Sequence, residues 1–137
     1  MKTPAKMMRT GLTILVAGYW LALFVATHIP HVPAALTMPG SDKWQHFTAY
    51  AGLALLLAAW QARGRSLSWK LAVRIVGVVS MYGIFDELSQ IPVGRDAELW
   101  DWYADVMGAC SGVAVFTAFR ALWNRRSRRP PAAESRR

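Results

Sequence analysis

Ionisable and amide side chains gather at three places in this chain. Asp42, His46 and Tyr50 follow one another at four-residue steps, which puts them on one face of a helix, with Lys43 beside the first. Asp86 and Gln90 stand one helical turn apart with Glu87 adjacent, and Arg95 follows shortly after. Asp101 and Asp105 are again one turn apart and lead into Gly108 and Gly112. Carboxylates sharing a site with a histidine suit proton relay or cation binding, and His46 could exchange protons near neutral pH. Arg95 offers a planar fork for a phosphate or carboxylate, with Lys43 as a second positive contact and Asp86, Glu87 and Asp101 orienting both cations. Acids and a histidine could instead hold a divalent cation and activate water for hydrolysis of a lipid head group. No H-E-x-x-H or comparable spacing is present, and no serine is placed as a nucleophile for His46, so no metal ligand set and no cofactor is assigned.

The elements that must position these groups are apolar. The chain has 137 residues, 54% of them hydrophobic and 18% charged, too apolar for a disordered protein and long enough for one domain. A single cysteine, Cys110, excludes an internal disulfide and a cysteine-built zinc site. The apolar residues lie in long blocks at about 11–29, 43–62, 71–91 and 102–123. Each block is long enough to cross a membrane as a helix. The sequence therefore predicts an all-α fold, an integral membrane bundle of four transmembrane helices over 11–123, with a basic N-terminus (1–10) and a basic disordered tail (124–137). A secretory signal peptide competes for the first block, but the long apolar core and the absence of a clean cleavage pattern after Phe24 favour a retained helix. Trp44 and Trp60 bracket the second block, and Trp100 or Trp102 with Trp123 bracket the fourth, as interfacial anchors do. The Gly108–Gly112 pair is a G-x-x-x-G surface for close helix packing. Cys110 is read as a packing residue, His28 and His31 as interfacial residues without a role, and Asp96 and Glu98 as solvated.

Net charge is +8, which alone would suggest a nucleic-acid partner. Its distribution says otherwise. Basic residues fall before the first block, between the second and third, and after the fourth, so the positive-inside rule places both termini and the middle loop in the cytoplasm. The outward side then holds two bases, Lys43 and Arg95, against seven acids: Asp42, Asp86, Glu87, Asp96, Glu98, Asp101 and Asp105. The expected setting is the cytoplasmic (inner) membrane, multi-pass, with membrane lipids and no nucleic acid as partners. The surplus of acids over bases implies that internal pairing is incomplete unless protons or a cation make up the difference.

The run Ser41-Asp42-Lys43-Trp44-Gln45-His46-Phe47 followed by Tyr50 resembles the D-K-x-x-H-F-x-x-Y signature of the VanZ-like membrane proteins. Asp86-Glu87-Leu88-Ser89-Gln90, Gly94-Arg95, Asp101 and Gly108 resemble that family's D-E-x-x-Q, G-R and D-x-x-x-N-x-x-G elements in the same order, over roughly Asp42 to Gly112. Asp105 stands where the family often has Asn. The family is named for a protein associated with low-level teicoplanin resistance, so the resemblance implies a cell-envelope membrane protein and no particular mechanism. The expected function is an outward-facing site, built from Asp42, Lys43, His46, Asp86, Glu87, Gln90, Arg95, Asp101 and Asp105, that binds a polar, lipid-linked or phosphate-bearing envelope group. The rivals are a membrane-embedded, metal-dependent hydrolase of a lipid head group and an assembly subunit of a membrane complex.

Overall fold

Each apolar block forms a helix in the structure, a computed structural model describing residues 4–29 and 41–127. The helices are α1 (Pro4–Thr27), α2 (Ser41–Ala62), α3 (Trp69–Gln90) and α4 (Leu99–Ser127), and no strand occurs among the described residues. His31, most of the connection from α1 to α2, Lys2 and residues 128–137 of the tail lie outside the described residues. All four helices start before their apolar blocks, and α4 also runs past the end of its own, because helical backbone bonding does not stop where hydrophobicity does. Residues 124–127, expected in the disordered tail, complete the last turn of α4, where Arg125 and Arg126 complement the negative end of the helix dipole. Asn124 ties that turn to the α2–α3 loop by donating to Ser66 Oγ at 3.1 Å. Ser68 caps α3, its hydroxyl accepting from the Leu71 N–H at 3.3 Å. A 3-10 turn over Ile91–Val93 ends at Gly94, whose φ of 79° turns the chain toward α4.

Antiparallel neighbours follow from the short connections, and α2 touches all three other helices. The α2–α4 contact is the closest. A Cβ added at Gly108 would strike the Phe47 carbonyl, and one at Gly112 the Ala51 carbonyl, so the two glycines let the α2 backbone lie directly on α4. On the other side of α2, Tyr19 crosses over Gly52 and donates to the Ala49 carbonyl at 2.9 Å. Trp20 meets Tyr82 edge-on with ring centroids 5.1 Å apart, which joins α1 to α3. The apolar core runs along these seams through Leu23, Tyr50, Leu53, Leu57, Ile75, Val79, Val113 and Phe116. Cys110 is exposed, not packed: the inward stripe of α4 passes through Gly108, Ala109, Gly112 and Val113, and Cys110 falls off it.

Two helices, Lys6–Thr27 and Leu99–Ser127, are long and apolar enough to cross a membrane. The sequence expectation was four. In α2 the opening Asp42, Lys43, Gln45 and His46 offset the apolar run, and in α3 Lys70, Arg74, Asp86 and Glu87 do the same.

Candidate functional site

At the end of the bundle where α2 and α4 begin and α3 finishes, polar side chains from all four helices converge in three tiers. Asp86 organises the deepest. It is fully buried, and its carboxylate accepts from Thr27 Oγ1 (2.9 Å), Tyr50 Oη (3.2 Å) and Gln90 Nε2 (3.1 Å), with Tyr82 Oη at 3.5 Å. Donors from α1, α2 and α3 thus saturate a buried anion. His28 stands beside it, Nδ1 lying 3.9 Å from Asp86 Oδ1, stacked on Phe24 and hydrogen-bonded through Nε2 to Ser89 Oγ at 3.0 Å.

The middle tier is His46, Glu87 and Asp105, one each from α2, α3 and α4, all buried. His46 Nδ1 lies 2.9 Å from Asp105 Oδ1, and its ring is stacked toward Tyr50 with centroids 6.2 Å apart. Asp105 Oδ2 faces Gly83 on α3, where a side chain would crowd it, and has no hydrogen-bond partner among the described residues. Glu87 Oε2 accepts from the Glu98 N–H at 2.8 Å, while Oε1 is buried without a partner among the described residues. Two carboxylates therefore each present one unused oxygen to a low-dielectric interior.

The uppermost tier is Lys43 with its ammonium among Glu98 (2.9 Å), Asp101 (2.9 Å) and Asp42 (3.2 Å). Glu98 is exposed, as expected of a solvated loop acid, and also joins both upper tiers, its side chain on Lys43 and its backbone N–H on Glu87. Asp96 is exposed, as a solvated loop acid should be.

Eight of the nine expected ligand-binding residues lie in these tiers: Asp42, Lys43, His46, Asp86, Glu87, Gln90, Asp101 and Asp105. Arg95 stands apart, on the α1 side. Its Nη1 donates to the Ile29 carbonyl at 3.4 Å, and no carboxylate pairs with it among the described residues. Thr27, His28, Ser89 and Tyr82 belong to the site but escaped the sequence reading. A polar residue every third or fourth position down an otherwise apolar α3 (Tyr82, Asp86, Ser89) was the available signal.

Beside the middle tier, between the end of α3 and the start of α4, an open cavity of about 300 Å³ is lined by Ile84, Leu88, Leu99 and Trp102 with Glu87 and Glu98. Its wall is mostly apolar, and its polar contacts are the two glutamates that join the tiers. The chain matches no family model, no curated protein and no solved structure.

Proposed function

We propose that this chain is a VanZ-like integral membrane protein, crossing the cytoplasmic membrane four times, and that it binds a lipid-linked polar group of the envelope at its acidic end. The observation that carries this reading is the inversion of polarity across the bundle. Asp86 and Asp105 are fully buried, while Val73, Val78, Met81, Phe85 and Leu88 on α3 are exposed. In water such an apolar exterior would be an aggregation hazard; against lipid it is the solvated surface. The same argument extends to Ile14, Leu21 and Val25 on α1 and Met107, Val115 and Phe119 on α4. It includes α3 among the spans although its mean hydropathy is diluted by the inward-facing acids. α2 is enclosed by the other three helices and needs less apolar surface of its own. α1 contributes Thr27 to the Asp86 carboxylate, which supports reading it as a retained helix of the fold.

The open cavity supports a lipid-tailed ligand. Its apolar wall of Ile84, Leu88, Leu99 and Trp102 suits a chain entering from the bilayer, and Glu87 beside it is where a head group would meet the buried acids. Because glutamates line the cavity and Arg95 does not, the head group is recognised by its hydrogen-bond donors or through a bound cation, not by the arginine clamp that its sequence position suggests. An enlarged side chain tests this. Ile84→Trp should fill the cavity and reduce the lipid retained by the purified protein in native mass spectrometry several-fold, whereas Val78→Trp on the exposed face of the same helix should not. Equal retention in both variants would remove the ligand reading.

Orientation has its own test. A reporter fused after Glu98 should be read on the outer side of the membrane, and one after Ser66 in the cytoplasm, next to Arg63, Arg65 and Lys70. A cytoplasmic signal at Glu98 would invert the topology and with it the side on which ligand is met.

A further inference from the structure

Two groups of three at the acidic end have the composition of a cation site, and they differ in one respect. Asp42, Glu98 and Asp101 surround the Lys43 ammonium, so that group already holds its positive charge. His46, Glu87 and Asp105 have no lysine or arginine within ion-pairing distance among the described residues. One donor atom from each lies within 4.8 Å of the other two, and all three residues are buried. Glu87 Oε1 and Asp105 Oδ2 are the unused oxygens of this group. Even with His46 protonated, two carboxylates exceed its charge. A buried anionic excess with unfilled acceptors is what a divalent cation would complete.

We propose that His46, Glu87 and Asp105 form a binding site for one divalent first-row metal ion of the zinc type. One imidazole and two carboxylates suit zinc, manganese or cobalt better than magnesium or calcium, which prefer an all-oxygen shell. Metal–ligand distances of about 2.0–2.2 Å would bring tetrahedral donors to about 3.4 Å from one another. Donor atoms already within 4.8 Å of one another would have to draw together to reach that spacing. Three protein ligands leave one coordination position open, and Glu87 also lines the apolar cavity, so that position would face an entering ligand. The Glu98 N–H on Glu87 Oε2 fixes the carboxylate that would ligate through its other oxygen. A linear motif would not disclose this set, because its members come from three helices and are separated by 41 and 18 positions.

The inference does not rest on the lipid-ligand reading, because the probe is the metal alone. The full chain, purified in detergent and stripped with a chelator, is titrated with Zn²⁺ by calorimetry, and Co²⁺ is added separately to read the ligand field optically. The expected result is one Zn²⁺ per chain. Asp105→Asn and Glu87→Gln, which preserve side-chain size, should each weaken binding at least about tenfold. Asp96→Asn, at an exposed loop acid outside the tiers, should leave the affinity unchanged. His46→Gln should abolish the Co²⁺ absorption bands, with helical circular dichroism confirming that each variant is folded. No saturable Zn²⁺ or Co²⁺ binding by the folded wild-type chain would overturn the proposal. So would unchanged affinity in both Asp105→Asn and Glu87→Gln, or a loss seen only in Asp42→Asn, which alters the Lys43 group.

Discussion

Gly108→Val should prevent the chain from accumulating as a folded protein, while Gly77→Ala should leave its melting temperature equal or higher. The contrast comes from what each new side chain meets. At Gly108 an added Cβ collides with the Phe47 carbonyl and stands 3.1 Å from Ala51 N, both backbone atoms of the central helix. Backbone cannot rotate aside as a flexible side chain can, so α2 must move away from α4. Overpacking of this kind costs about 1–3 kcal/mol for a small excess, and a branched side chain against backbone lies at or above the upper end. Moving α2 also separates His46 from Asp105 and Lys43 from Asp101, which cross this same seam. At Gly77 nothing lies within 4 Å of the added atom, so the change acts only through helix propensity, which favours alanine by up to about 1 kcal/mol. Thermal unfolding in detergent with a fluorescence readout checks both. Equal melting temperatures for Gly108→Val and wild type would refute the close packing of α2 on α4.

Asp86→Ala carries the second large effect, a destabilisation on the order of 3–5 kcal/mol. The carboxylate gathers Thr27, Tyr50 and Gln90, and its loss leaves the buried Tyr50 and Gln90 donors without an acceptor around a new cavity, while Thr27 falls back on the Phe24 carbonyl of its own helix. Against a total stability of about 5–15 kcal/mol, that is enough to depopulate the fold. α1 should loosen first, since Thr27 is its polar tie to α3. The checkable signature is faster proteolysis between α1 and α2 together with a lowered melting temperature. A variant as stable as wild type would mean that Asp86 is not the hub its hydrogen bonds describe.

Much of this architecture was legible in the chain because each long helix of the bundle leaves a long apolar block in the sequence. The four blocks mark the four helices, and the G-x-x-x-G pair marks the α2–α4 contact that the glycine clashes reveal. Periodicity also placed the right groups on the right faces: His46 and Tyr50 point inward together, and Gln90 reaches Asp86 one turn away. What periodicity lacks is the identity of the neighbouring helix. It could not say that Asp86 would be saturated while Asp105 keeps an unused oxygen, because that difference depends on Thr27 and Tyr50 reaching Asp86, and Gly83 facing Asp105, from other helices. The same gap misjudged Arg95. Its charge and position suggest a ligand clamp beside the acids, yet the turn ending at Gly94 carries it toward the Ile29 carbonyl. Glu98 is exposed, as a loop acid should be, but its pairing with Lys43 shows only once the fold brings the two together.

The acidic end thus separates into a carboxylate saturated by donors, Asp86, and a group with unused oxygens, His46, Glu87 and Asp105. The most direct measurement of that separation is the melting temperature of metal-free Asp105→Asn beside metal-free wild type. Asparagine keeps an oxygen to accept from His46 Nδ1 and removes the excess buried charge, so a group retained for binding should melt at the wild-type temperature or above it. A fall as large as that of Asp86→Ala would show that Asp105 holds the bundle together, and would contradict the account.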